Sequence, residues 1–370
     1  MARVDSALYH QKGGGLFRIL GEMTAKTQEK YPGRPIVKLG VGDVTLPLVP
    51  AILEALHAAV DEQGVKASFH GYTGNVKKLV DDIVEKDYAQ RGVTISPKEI
   101  YVTDGSSAEI YNITDIFASD SEVLVPDPAY PAYVDVNSML GRKIHYVPCL
   151  EENGFIPQPP DYKVDIVYLC SPNNPTGNAL PIDDMLRIAR RFQGITVIDE
   201  AYIDFSDKGS MVKYLDTLPR LIVMHTFSKA WASAAMRLGI AYASPEIIDI
   251  FNKVKYPYNI NILTQREALN VLDRADKVVA VAKELVEARD RLASQLESLS
   301  AVKQVYASDA NFLLVKVDDA DALYAWLRDA GVIVRNRCRV HLCAGCLRIT
   351  VGSDNENRLL IEKIEEYDRR

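Results

Sequence analysis

The chain has 370 residues, 48% hydrophobic and 25% charged, which is ordinary globular composition. That excludes a mini-protein, a collagen-like chain and a low-complexity chain. At roughly 150 residues per domain it allows two domains, or one large α/β domain with a smaller companion. Lys and Arg number 43 against 50 Asp and Glu, a net charge of −7, so there is no global basic field for nucleic acid.

Met1–Gln11 holds charges and no apolar core, so no signal peptide is expected. Ala51–Val60, after Pro50, and Val76–Gln90 have the periodicity of amphipathic helices. Short apolar runs bounded by turns predict buried parallel strands at Ile100–Thr103, Val123–Val125, Ile166–Leu169, Thr196–Ile198 and Leu221–His225, with Ile240–Ala243 a sixth. A long charged helical stretch, Ala275–Leu299, follows. It suits a passage from one domain to the next. Beyond it come strands at Phe312–Lys316, Val332–Arg335 and Leu347–Val351, and helices at Ala320–Ala330 and Asn355–Tyr367.

This order predicts an α/β protein. Its large domain, residues 50–264, has a mostly parallel central sheet sandwiched by helices. A smaller α+β domain combines residues 1–49 and 265–370. No apolar run approaches the ~20 residues needed to cross a bilayer, so no membrane partner is expected. Cys149, Cys170, Cys338, Cys343 and Cys346 are few and odd in number, which suits a reducing, cytoplasmic compartment. Cys343-Ala-Gly-Cys346 has neither a second pair nor a histidine pair nearby, so no metal site is expected.

Four segments carry chemistry. In His225-Thr-Phe-Ser-Lys229, an amine follows a buried strand, with hydroxyls at Thr226 and Ser228 and a guanidinium at Arg237. A lysine beside a fixed cation can act as a nucleophile toward an aldehyde, and the hydroxyls with Arg237 suit a phosphate. Read alone, Lys229 is equally a solvated lysine at a helix start. Ser171-Pro-Asn-Asn174-Pro-Thr-Gly177 forces a loop at a strand end, where open α/β sheets bind ligands. Alone it is also a plain turn. In Asp199-Glu-Ala-Tyr202 a carboxylate ends an apolar strand, as an N-cap or as the partner of a cation such as a protonated pyridine. Thr103-Asp-Gly105-Ser106-Ser107 opens a helical pattern and can cradle a phosphate, as many α/β loops do.

Together, in this order, the motifs resemble the fold-type I pyridoxal-phosphate aminotransferases of classes I and II, from about Leu16 to Tyr367. The resemblance implies pyridoxal 5'-phosphate as cofactor. It implies Lys229 as the Schiff-base lysine and proton shuttle, and Asp199 as the carboxylate facing the ring nitrogen. Tyr202 and Asn174 match the pair on the 3'-oxygen, and Tyr130 the ring-stacking residue. Gly105, Ser106, Ser107, Thr226, Ser228 and Arg237 match the phosphate site. Tyr72 matches the tyrosine reaching the neighbouring subunit's phosphate, which implies a homodimer with a shared active site. Arg348 matches the arginine that grips a substrate anion, with Asn311 near it and Arg335 at the spacing of a two-arginine phosphate clamp.

Within the family the two ends differ. Leu16-Phe17, Leu39–Thr45, Pro47 and Asp127–Asp135 are similar to LL-diaminopimelate aminotransferase. Thr226–Gly239, Lys255–Asn259, Val334–Arg337 and Cys346–Gly352 are similar to histidinol-phosphate aminotransferase. The chain therefore reads as a hybrid, natural or engineered. Leu46 and Thr73-Gly-Asn depart from the diaminopimelate pattern. The expected reaction moves an amino group from an amino acid-like donor, foremost a histidinol-phosphate-like one, to a 2-oxo acid. Diaminopimelate or another amino acid is the alternative. A decarboxylase or lyase on the same scaffold, or a cofactor-binding scaffold of low activity, are the rivals.

Overall fold

The computed structural model describes residues 16–33, 36–42, 50–72, 76–89, 91–158 and 163–370. The expectations for Met1–Gln11, for Asp43–Pro47 and for Thr73–Asn75 lie outside these residues.

Seven strands form the main sheet: β2 (Ile100–Thr103), β3 (Val123–Asp127), β4 (Ile144–Pro148), β5 (Ile166–Cys170), β6 (Ile195–Asp199), β7 (Leu221–Thr226) and β8 (Gly239–Ala243). Their order is β2-β8-β7-β6-β5-β3-β4. β8 runs antiparallel to both its neighbours, and the other pairings are parallel. β5, β7 and β8 are buried along their whole length. That is why they read as continuous apolar runs: a strand covered on both faces has no polar side to show.

Alternate residues of each strand enter different cores, as the two-residue period of a strand requires. Tyr101, Val125, Tyr168, Val197 and Met224 pack with Ile110, Val136 and Phe251, which come from the helices Ser106–Asp115, Ala132–Met139 and Pro245–Val254. Val102, Leu124, Leu169, Ile198 and Val223 pack on the opposite side with Leu186 and Val271 of the helices Ile182–Arg191 and Ile262–Leu272.

A second sheet of four strands has the order β12-β13-β10-β9: Arg335–Asn336, Cys346–Thr350, Phe312–Val317 and Val302–Val305. Its core takes Leu327, Leu360 and Ile364 from the helices Ala320–Asp329 and Asp354–Asp368. The Ala275–Glu297 helix joins both units. Its Ala282, Leu285 and Ala288 pack with the main sheet, and its Leu292 and Leu296 with the four-stranded one.

Several elements differ from the sequence reading. Val332–Arg335 is not one strand: Val332–Ile333 (β11) pairs in parallel with Val37–Lys38 (β1), while β12 pairs antiparallel with β13. The chain changes partner at Val334, whose carbonyl lies 3.0 Å from where a Cβ on Gly40 would stand. The Val76–Gln90 pattern resolves into an α-helix, Lys77–Asp82, and a π-helical turn, Ile83–Tyr88. β4 gave no sequence signal because it is the sheet edge and only partly buried. Among the described residues no helix is long and apolar enough to cross a membrane.

Leu296, fully buried where the long helix meets the second core, reports on that junction. Leu296→Ala is expected to cost about 2–5 kcal/mol in denaturant unfolding.

Candidate active site

The loops leaving the carboxyl ends of β2, β3, β5, β6 and β7 converge, which is where an open α/β sheet presents backbone and side chains to a ligand. Asp199 is the last residue of β6, in register with Cys170 of β5 and Met224 of β7. It is 5% exposed. Its Oδ2 accepts the Tyr133 hydroxyl at 2.5 Å and its Oδ1 accepts the Ala201 N–H at 3.0 Å. Burial raises the carboxyl above its ordinary range, opposed by those two hydrogen bonds and by the Lys229 charge. A further cation facing it would be strongly favoured.

Lys229 follows β7. Its Nζ donates to the Gly42 carbonyl at 2.6 Å and lies 5.4 Å from the centre of the Tyr202 ring. The Tyr202 hydroxyl stands 2.7 Å from where a Cβ on Gly42 would be, so Gly42 is required by space. Tyr130 meets Tyr133 edge to face, ring centres 5.6 Å apart, and burial raises its phenol.

The phosphate-type cradle lies between β2 and β7. Gly105 caps the Ser106–Asp115 helix with φ of 109°, and no side chain caps that end. A Cβ on Gly105 would stand 2.2 Å from Arg237 Nη2. Only a glycine admits the guanidinium there. Arg237 Nη1 donates to the Ala234 carbonyl at 2.8 Å and to Ser228 Oγ at 3.4 Å. Thr226 Oγ1 bonds Ser228 Oγ at 3.0 Å. Gly239, opposite both Thr103 and Thr226 in the sheet, leaves no room for a Cβ, which would meet Ser106 N at 2.6 Å.

On the other side stand three arginines. Arg348 of β13 is opposite Arg335 of β12, and Arg337 is two residues further on. The two-residue period puts all three on one face. Asn174 Oδ1 accepts from Arg348 Nη1 at 2.7 Å and more distantly from Arg337 Nη2 at 3.5 Å. Arg348 Nη2 donates to the Gly40 carbonyl at 3.1 Å, and its guanidinium stacks 4.9 Å from the Phe312 ring centre. Asn311 is buried just before β10, its carbonyl accepting from the Val351 N–H.

Fourteen of the fifteen site residues read from the sequence therefore lie on these strand ends and loops or beside them. The exception is Tyr72, which is 91% exposed and touches Tyr258, ring centres 4.9 Å apart, rather than this cluster. Sequence reasoning missed Tyr133 and Arg337. Tyr133 is one helical turn after Tyr130 in Pro128-Ala-Tyr-Pro-Ala-Tyr133, and Arg337 continues the alternation from Arg335; those spacings were the available signals.

A sequence profile for class I and II aminotransferases matches residues 34–364. The chain belongs to this family. A histidinol-phosphate aminotransferase from Bacteroides thetaiotaomicron is 41% identical over 283 residues, 74% of this chain and 81% of that protein. One from Christiangramia forsetii is 40% identical over 300 residues, 77% and 83% of the two chains. Histidinol-phosphate aminotransferase from Sinorhizobium meliloti, solved with pyridoxal 5'-phosphate, shares the fold at a TM-score of 0.80 and 20% identity, over 100% and 98% of the chains. Nothing in these comparisons supports the diaminopimelate likeness or a chimeric origin.

The protein is thus a transaminase acting on amino and keto acids, with pyridoxal 5'-phosphate as its cofactor. The residues present fit that group. Gly105 and Gly239 leave a Cβ-free cradle beside Arg237, Asp199 is a buried carboxylate in want of a cation, and Lys229 is an amine between them and the arginines. Gly239→Ala is expected to cost about 1–3 kcal/mol by overpacking and to weaken cofactor retention on dialysis.

Proposed function

We propose that this aminotransferase takes a histidinol-phosphate-like amino donor and passes its amino group to a 2-oxo acid. The observation that carries the reading is the pairing of Arg335 with Arg348 on one face of β12 and β13, with Arg348 on the Gly40 carbonyl two residues from the Gly42 carbonyl that takes the Lys229 amine. Two guanidiniums suit a phosphate ester. The names of the relatives agree with that substrate.

When bound, the cofactor supplies an aldehyde that takes up the amino group and a protonated ring that withdraws electrons. The protein's residues do the rest. Lys229 would hold the group through its aldehyde and would carry the proton of the substrate α-carbon. Asp199, held by Tyr133 and the Ala201 N–H, keeps a proton on the ring nitrogen by its charge. Tyr202 and the Nδ2 of Asn174 donate to the ring oxygen; Asn174 presents that nitrogen because Arg348 occupies its Oδ1. Tyr130 covers the ring. The helix N-terminus at Gly105, Ser106 and Ser107, with Thr226, Ser228 and Arg237, holds the phosphate. Arg348 and Arg335 orient the substrate through its anion, with Asn311 beside them.

Tyr72 and Tyr258 are exposed and meet ring to ring, which supports a homodimer in which Tyr72 completes the partner's site. We further assign residues 50–264 to a cofactor domain and residues 1–49 and 265–370 to a smaller one, with the Ile262–Leu272 helix crossing that boundary onto the main sheet and the long helix shared. Five unpaired thiols support a cytoplasmic setting.

Donor identity is tested by adding histidinol phosphate, diaminopimelate, glutamate and aromatic amino acids in turn to the cofactor-loaded enzyme. A spectral change with histidinol phosphate is expected; a response to diaminopimelate alone would refute the reading. Lys229→Ala should lower turnover by a factor on the order of 10³ or more while retaining cofactor. Asp199→Ala should bind cofactor and slow the half-reaction strongly; full turnover would sink its assignment. Reassembling Lys229→Ala with Tyr72→Ala protomers should restore activity, since one site of each heterodimer then carries neither change. No recovery would argue against a shared site.

A further inference from the structure

The two-arginine clamp leaves one buried cation unused. Arg337 is 7% exposed and Arg348 4%, and Arg335 is half-buried between strand partners. Among the described residues no carboxylate pairs with any of the three. Arg337 reaches Asn174 Oδ1 at 3.5 Å, and Arg348 makes two hydrogen bonds to neutral oxygens, Asn174 Oδ1 and the Gly40 carbonyl. The Nε–H of Arg335, of Arg337 and of Arg348 is buried and has no acceptor. Burying a guanidinium without a counter-charge costs several kcal/mol, and burying three on one face adds their mutual repulsion. Burial, then Arg348 and Arg335, depress the proton affinity of Arg337. Arginine does not escape this by giving up its proton, so the strain stands until an anion arrives.

The chemistry of that anion follows from the donors. A carboxylate has two oxygens in one plane and a single charge, and one arginine fork saturates it. A phosphate monoester has three terminal oxygens and up to two charges, and can meet three forks at once. We propose that Arg337 is a specificity-determining residue that completes, with Arg335 and Arg348, a three-guanidinium subsite for a dianionic phosphate monoester. The inference rests on the phosphorylated-donor reading above and adds Arg337 and the preferred charge state to it. The subsite discriminates against amino acids that present only a carboxylate there, because these leave one or two guanidiniums unanswered.

The test uses the cofactor-loaded enzyme, whose cofactor already fills the cradle at Gly105 and Arg237. Inorganic phosphate is the probe and acetate the control, read by calorimetric titration and by thermal shift. Wild type should bind phosphate more tightly as pH rises from 5.5 to 7.5 and the second proton leaves, since that pKa is near 6–7. Arg337→Gln should weaken phosphate at least tenfold and flatten the pH dependence, and leave acetate unchanged. Arg337→Lys should recover part of the loss. In phosphate-free buffer Arg337→Gln should melt no lower than wild type, because removing one of three unanswered charges relieves repulsion; a merely structural arginine would lower it. With histidinol phosphate, Arg337→Gln should raise KM about tenfold at similar kcat. Phosphate affinity within twofold of wild type in Arg337→Gln overturns the proposal, whatever the donor. Failure to convert histidinol phosphate, with phosphate affinity still dependent on Arg337, removes the donor reading and leaves the subsite standing.

Discussion

Asp199 ends a strand that has neighbours on both sides, so its carboxylate has no route to water and must be answered within the protein. The rest of the site is arranged around that requirement. Tyr133 comes from the helix after β3 and reaches across β5 to one oxygen, and the turn into Tyr202 gives a backbone N–H to the other. Both are neutral donors. They lower the cost of burial without cancelling the charge, and burial still raises the carboxyl. A carboxylate stabilised this incompletely is suited to hold a cationic ring nitrogen opposite it, because the missing counter-charge is what such a ring brings.

A comparison within the same molecule shows buried carboxylates and cations set against one another. One layer beneath the site, Arg91 bonds Asp87 and reaches Asp204 at 2.5 Å, and Asp204 bonds His225 Nε2 at 2.9 Å. Burial pushes the Asp204 carboxyl up, yet Arg91 and His225 hold it well below the usual range. Two carboxylates face one guanidinium and one imidazole, so opposite charges are set against one another. That network ties the turn after Tyr202 to the last residues of β7, and its function is to hold both in place. The site above it has three arginines and, among the described residues, no carboxylate paired with them. Balance marks a structural network, and imbalance marks a surface that a ligand completes.

The same distinction explains what could be read from the sequence. Strands buried on both faces announce themselves as apolar runs, and the turns after them carry Asn174, Asp199 and Lys229 at spacings that identify a family. β4 lies at the edge, half exposed, and carried no such run. The split of Val332–Arg335 into two sheets depends on the close approach of Gly40 to Val334, a contact across about 290 residues that no local pattern encodes. Arg337 and Tyr133 sit among residues that also read as ordinary strand and helix surface. Their roles emerge when the fold shows which charges near them lack an answer.

The segment from Val37 to Gly42 has almost no side-chain chemistry, yet it connects these parts through its backbone. Val37 and Lys38 pair with β11, the Leu39 carbonyl takes the Thr350 N–H, and the Val41 carbonyl takes the Thr350 hydroxyl at 2.6 Å. Between them the Gly40 carbonyl holds Arg348, and two residues on the Gly42 carbonyl holds Lys229. At most about 7 Å of extended chain separates those two carbonyls. The amine at which the chemistry occurs and the guanidinium that grips the substrate anion are thus gauged by one short stretch of backbone. A substrate must carry its anion only a few bonds from its amino carbon to engage both. Because a Cβ on Gly42 would meet the Tyr202 hydroxyl at 2.7 Å and one on Gly40 would press on the Val334 carbonyl at 3.0 Å, side-chain substitution here would shift those groups before it adjusted that distance. Variation in donor preference is therefore left to what surrounds the anion, which on this chain is the face of β12 and β13.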